Sequence, residues 1–314
     1  MTTTMPAANT ARDPRNGLRI AAASATLFTI VGHAFFGFEQ SLAHIFTAIG
    51  TAYVCALLFE AVDARANGRP PGFAGGGLLK VIDFLVSAHM TSITMSFLIY
   101  TNSHFCALAF AVAAAIGSKF LFRIEVGGKV RHFMNPSNFG LVTTMLIFQW
   151  TCVIPWSLTT ELHGFAAWFL PVFIAVLGFR LNLLYTHKLP LISSFLVGFV
   201  IQGIVRSYLL GNPVAAELAF LTNAPLAIFT MYMITDPQTS PSEARGQIAY
   251  GLAIAACYGL LLAFRINYAI FLCVTIAAAG RGLVLYVTSL QERGLLFAKR
   301  FEEPAVAIRA GMAH

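Results

Sequence analysis

Two polar segments interrupt an otherwise apolar chain. The first is Gly127-Gly128-Lys129-Val130-Arg131-His132-Phe133-Met134-Asn135-Pro136-Ser137-Asn138-Phe139-Gly140. The second is Thr235-Asp236-Pro237-Gln238-Thr239-Ser240-Pro241-Ser242-Glu243-Ala244-Arg245-Gly246. In each, Asn or Asp precedes Pro, hydroxyl residues follow, and a long apolar run comes next. Asn and Asp cap helix N-termini, and Pro suits the first helical position because its missing N–H had no partner there anyway. Both segments therefore predict helix starts, with free N–H groups and the positive dipole end at one membrane boundary. A helix start beside cations suits an anion. Arg123, Lys129, Arg131 and Arg245 supply the charge. A phosphate, a carboxylate or the electron-rich edge of a flavin fits that chemistry. Capping alone also accounts for the residues.

Other side chains offer rival chemistry. His33, His44, His104 and His163 fall near one boundary, opposite the two motifs, and a bis-His haem would join such residues from facing helices. No pair of His shares a single span at haem spacing. His89 lies near the middle of an apolar run, where a polar side chain needs a partner. Glu60, Asp63, Asp83, Lys119 and Arg180 sit at inner ends of apolar runs; Arg206, Glu217 and Arg265 sit at outer ends. Membrane depth is thus nearly free of charge, which argues against an autonomous ion pump. Asn223-Ala224-Pro225 predicts a break that lines a pore or kinks a helix. Five dispersed Cys without a CxxC pair read as apolar fillers. The run Gly72–Gly77 lacks the Lys and Ser/Thr of a phosphate-binding loop, and reads as flexible.

The elements that carry these residues follow from composition. Of 314 residues, 58% are hydrophobic and 11% charged, against about 25% charged in a soluble domain. A soluble enzyme is excluded. Ten windows reach the roughly 20 apolar residues of a membrane helix. They cover 18–38, 42–62, 78–100, 104–122, 138–156, 165–184, 190–210, 216–234, 246–264 and 267–286. With the N-terminus inside, Arg206 and Arg265 alone of the 20 Lys and Arg fall outside. That asymmetry predicts an even number of spans with both termini cytoplasmic. It also explains the net charge of +7 without nucleic acid. The expected fold is an all-α polytopic membrane protein: an N-terminal segment 1–17, a ten-helix domain 18–286, and a cytoplasmic tail 287–314. Leu295, Leu296, Phe297 and Phe301 would let the tail lie along the lipid surface.

Asn135-Pro136-Ser137-Asn138 resembles the asparagine–proline motif of the RnfD/NqrB family, membrane subunits of ion-coupled, flavin-containing electron-transport complexes. Thr235–Pro241, followed by Gly246, looks like that family's TDPxTSP segment. Order, separation and the ten-span layout also agree. The chain looks closest to the stand-alone branch found in enediyne antibiotic gene clusters, called UnbU. The resemblance implies a bacterial inner-membrane electron-transfer subunit with a non-covalent flavin, riboflavin or FMN, at the cytoplasmic motifs. Asn135, Pro136 and Ser137 would start one helix at the flavin. Thr235, Asp236, Thr239 and Ser240 would start the other and supply side-chain oxygens. Arg131 and Arg245 would offset charge on the reduced ring. A redox partner protein would dock on the cytoplasmic face. The family's covalent-flavin motif is missing: no Gly-Ala-Thr occurs, and Thr159 and Thr160 do not fit it. Phosphoester-linked FMN is therefore not expected. The alternative is a small-molecule transporter or channel of the same fold.

Overall fold

The computed structural model describes residues 14–126, 128–153, 163–266 and 268–311. Helices α1 (Pro14–Phe35), α2 (Leu42–Ala66), α3 (Gly77–Leu98) and α4 (Phe105–Leu121) are joined by short connections. Strand β1 (Ile99–Tyr100) lies between α3 and α4. The hairpin of β2 (Arg123–Val126) and β3 (Lys129–His132) leads into α5 (Pro136–Ile147), and β4 (Cys152–Val153) follows. Next come α6 (Phe169–Leu181), which runs into a π-helical turn (Asn182–Thr186), and α7 (Leu189–Leu210). Two short helices, α8 (Val214–Leu218) and α9 (Ala224–Ile228), precede a second π-helical turn (Phe229–Met233). The chain closes with α10 (Ala244–Ala263) and α11 (Ala269–Gly311). β1 pairs antiparallel with β4, and β2 with β3. Because α4 separates the two pairs by about 25 Å, one marks each end of the bundle.

Among the described residues, six helices are long and apolar enough to cross a membrane, or seven if a bent pair counts as one span. Their outward faces carry Leu27, Ile30, Val54, Leu58, Val197 and Leu283, each more than half exposed. Apolar surface on that scale requires a lipid environment rather than water. The protein is an all-helical membrane protein.

Several expected windows are shaped differently from plain spans. Windows 104–122 and 165–184 hold shorter apolar helices, Phe105–Leu121 and Pro171–Thr186. Window 216–234 is bent by 66° between Val214–Thr222 and Pro225–Met233. The break falls at Asn223, and Pro225 occupies the first turn beyond it, as the sequence predicts. Window 138–156 yields only the 12 residues of α5. There Thr151 turns back, its N–H and hydroxyl both donating to Phe148 O at 2.8 Å, and Cys152 and Val153 join β1. Residues 154–162, with Thr159 and Thr160, lie outside the described part. At the other end, α11 does not stop near 286 but continues into the tail. The side chains of Leu295, Leu296, Phe297 and Phe301 lie outside the described residues.

The core depends on small residues at helical spacing. Ala48, Ala52 and Ala56 of α2, and Ala107, Ala111 and Ala115 of α4, are buried one turn apart. Between membrane helices the gain comes from close packing and not from water exclusion, so small side chains favour contact. Gly140 shows the limit: a Cβ there would sit 2.5 Å from Ala111 O. Gly251 is equally tight, with Leu191 O 2.8 Å from an added Cβ.

Buried polar groups at depth are tied off. Thr26 donates to Ala22 O at 2.8 Å, so it accepts from His89 Nε2, also at 2.8 Å. His89 Nδ1 then accepts from the Tyr53 hydroxyl at 2.9 Å. A neutral His89 thus has both ring nitrogens paired and links α1, α2 and α3. Arg206 and Glu217, expected to reach separately for the lipid surface, pair with each other at 2.6 Å. The Gly-rich connection after α2 is also more fixed than expected. Arg69 bridges Glu60 (2.6 Å) and Asp63, and Gly72 N–H donates to Glu60 at 2.7 Å.

Candidate functional site

Asn135 is a helix cap twice over. Its Oδ1 accepts from Asn138 N–H at 3.0 Å, and Pro136 follows in the first turn of α5. Its Nδ2 donates to Met233 O at 3.0 Å. That carbonyl is one of the last in the π-helical turn after α9, and terminal carbonyls have no partner within their own helix. Asn135 therefore joins the negative end of one broken helix to the positive end of another. Thr235 and Asn182 satisfy a second terminal carbonyl, Met231 O, at 2.6 and 2.8 Å. The π-type bond from Ile234 N–H to Phe229 O, 3.1 Å, closes this turn. The two motifs, about a hundred residues apart in the chain, thus meet at one point.

The second motif does not begin a helix as expected. α10 starts at Ala244, and its cap residue Glu243 makes no side-chain capping bond. Asp236 instead organises a turn. Its Oδ1 accepts from Gln238 N–H at 3.0 Å, and its carbonyl accepts from Thr239 N–H, Ser240 N–H and the Ser240 hydroxyl. Pro at 237 and 241 removes N–H donors that would extend a helix backwards. The hydroxyls of Thr235, Thr239 and Ser240 all donate to backbone carbonyls. They keep lone pairs but have no proton left to offer.

Basic side chains surround this turn from four elements. His132 Nε2 lies 3.9 Å from Asp236 Oδ2. Lys188, just before α7, donates to Pro241 O at 2.5 Å. Arg281 of α11 donates to Thr239 O at 3.0 Å. Lys119 of α4 reaches Ser87 and Thr91 at 3.0 and 3.1 Å, and its charge is also felt at His132. Burial lowers the Lys188 pKa to about 8, an effect that the Asp236 carboxylate partly offsets. Burial lowers the His132 pKa too; Asp236 opposes the fall, while Lys119 and Arg123 deepen it. One carboxylate thus faces several cations.

The expected site residues divide into two groups. Asn135, Pro136, Ser137, Thr235, Asp236, Thr239 and Ser240 come together, six of them buried and Asp236 half-buried. Arg131 is exposed at the rim, close enough to act on Lys188 and Arg281. Arg245 is exposed on the first turn of α10 and has no part in the knot of hydrogen bonds. Arg123 is taken by Asp63 at 2.9 Å and lies over the Phe120 ring. The Lys129 side chain lies outside the described residues. His132, Lys188, Lys119 and Arg281 were missed in the sequence, although Lys188 immediately before Leu189-Pro190 is itself a helix-start signal.

The donor set suits an anion with a planar polar edge. Lys188 and Arg281 each spend one N–H on a carbonyl and retain others. Among the described residues, Asn138 Oδ1 and Gln247 Oε1 are fully enclosed acceptors without a partner. The two cavities between α1, α3 and α6 and beside Trp150 are lined by no motif residue, and Arg131, Pro237 and Gln238 are exposed. On the opposite face, both ring nitrogens of His33 meet carbonyl oxygens, and His104 stacks on Trp150. No group of three or more His, Cys, Asp or Glu that could hold a metal ion occurs among the described residues. No protein-family model matches the chain, and no curated protein matches it.

Proposed function

We propose that the chain is a membrane electron-transfer subunit that binds a non-covalent flavin at the joined motifs. The observation that carries this reading is the Asn135–Met233 bond, which brings both motifs to one cation-rich point. Lys188, Arg281 and Arg131 would hold the phosphate or the electron-rich ring edge. The flavin, when bound, supplies the redox chemistry, and the cation excess favours the reduced anion over the oxidised ring. A partner reductase would dock on the basic face. Ten spans with both termini cytoplasmic would account for the charge asymmetry of the sequence. In that topology the two motifs face the cytoplasm.

A transporter or channel is the second reading, favoured by the 66° break at Asn223. Broken helices of this kind line solute sites in transporters. Bound chromophore separates the two. Protein purified in detergent should carry flavin that acid releases; colourless protein that moves solute in liposomes would replace the first reading with the second.

A further inference from the structure

A cleft of about 340 Å³ opens between α1, α3 and α6, and no residue of either motif lines it. Its wall on α6 is a single face, Phe173, Ile174, Leu177, Leu181 and Leu184, with Arg180 among them. Ile20 to Phe28 of α1 and Met90 to Leu98 of α3 form the facing walls, each spanning about 12 Å along its helix. The cleft exists because α6 packs the other way. Gly178 receives Met231, whose Cβ lies 2.4 Å from where a glycine Cβ would be, and Asn182 bonds Met231 O. Both π-helical turns border the cleft, through Leu184, Tyr185 and Tyr232, and such turns recur at functional sites.

Arg180 is the anomaly. It is exposed and is the one charged residue in a mostly apolar lining whose polar members are Ser24, Thr94, Tyr185 and Tyr232, and it forms no ion pair or hydrogen bond among the described residues. Asp83 of α3 is held by Arg15 and Arg19. A guanidinium at a membrane boundary without a carboxylate calls for an anion. The apolar walls call for a chain of roughly ten carbons, given their length along the helices.

We propose that this cleft binds one amphipathic anion, its alkyl or acyl chain between α1, α3 and α6 and its phosphate or carboxylate on Arg180. A bilayer phospholipid and a free single-chain amphiphile share this chemistry. Native mass spectrometry of the full chain in neutral maltoside tests it, with dodecyl phosphate and dodecanol as probes. One dodecyl phosphate per chain should bind, at least tenfold tighter than dodecanol. Arg180→Gln should weaken the phosphate at least tenfold, Arg180→Lys should retain most of the binding, and Ala25→Trp should block the cleft. Equal binding of phosphate and alcohol overturns the proposal, as does unchanged binding in Ala25→Trp. If Arg180→Gln does not fold, the alcohol comparison and Ala25→Trp decide alone. Transfer from nanodiscs of mixed phosphatidylglycerol and phosphatidylcholine identifies the source. Retained phosphatidylglycerol points to the bilayer; binding of dodecyl phosphate with no retained lipid points to a free amphiphile.

Discussion

Two charged clusters in the molecule differ in balance. Around Glu60 and Asp63, two carboxylates meet two guanidiniums, Arg69 and Arg123, and every charge is answered. Around Asp236, one carboxylate meets His132, and Lys188, Arg281 and Lys119 spend their N–H groups on neutral oxygens. The first cluster fixes a loop to a helix end and needs nothing more. The second holds more positive charge than its fold uses. Balanced charge is what structure alone requires; the surplus at Asp236 is where an anionic ligand gains most.

Asn135→Ala should have the largest effect. It removes both caps at once, at a cost of about 1–2 kcal/mol for the lost N-cap alone. Flavin content after purification should fall to near zero, while Asn135→Asp keeps the α5 cap and loses only the bond to Met233. Flavin retained in full by Asn135→Ala would break the contrast, because the joined motifs would then be scaffolding like the first cluster.

Lys188→Met should weaken flavin binding by about tenfold, the loss of roughly one charge-assisted contact. Titration of released and rebound flavin by fluorescence measures it. The same residue sets a pH dependence. Lys188 in the empty site has a pKa near 8, and an anion stabilises its protonated form. Binding therefore takes up a proton above that pH, and affinity should fall from pH 8 towards 9.5, by up to tenfold per unit. Lys188→Met should flatten the profile. An identical slope in both proteins would assign the titration to another group.

Asp236 separates charge from turn geometry. Asp236→Asn keeps the acceptor for Gln238 N–H and removes the one opposing charge, so flavin should bind a few-fold tighter. Asp236→Ala loses the turn and should bind less. Glu60→Gln is the smallest case. Its partner Arg69 is 40% exposed, so the pair contributes under about 1 kcal/mol. Thermal unfolding should shift slightly, with no change in flavin affinity.

The membrane class was legible in composition, and six spans were legible as apolar windows, because lipid leaves helices as the only open choice. Asn135 was legible as a cap, since Asn-Pro-Ser at the edge of an apolar run has few other uses. Asp236 misled. Asp-Pro also opens a helix, but Pro241 and the Ser240 hydroxyl hold this segment as a turn, and α10 starts later. α5 was too long in the sequence because apolarity continues past Ile147 while the backbone turns at Thr151. The partners of His89 and the pairing of Arg206 with Glu217 link separate helices, and a single sequence carries no trace of such contacts. The cation set at Asp236 was hidden for the same reason: His132, Lys188, Lys119 and Arg281 come from four elements.

The most direct test is an absorption spectrum of the detergent-purified protein before and after dithionite, followed by acid extraction. The account predicts blue-region bands that bleach on reduction, with free flavin in the supernatant and near one equivalent per chain. Colourless protein from cells rich in flavin would contradict it, and would leave the surplus charge at Asp236 to a different anion.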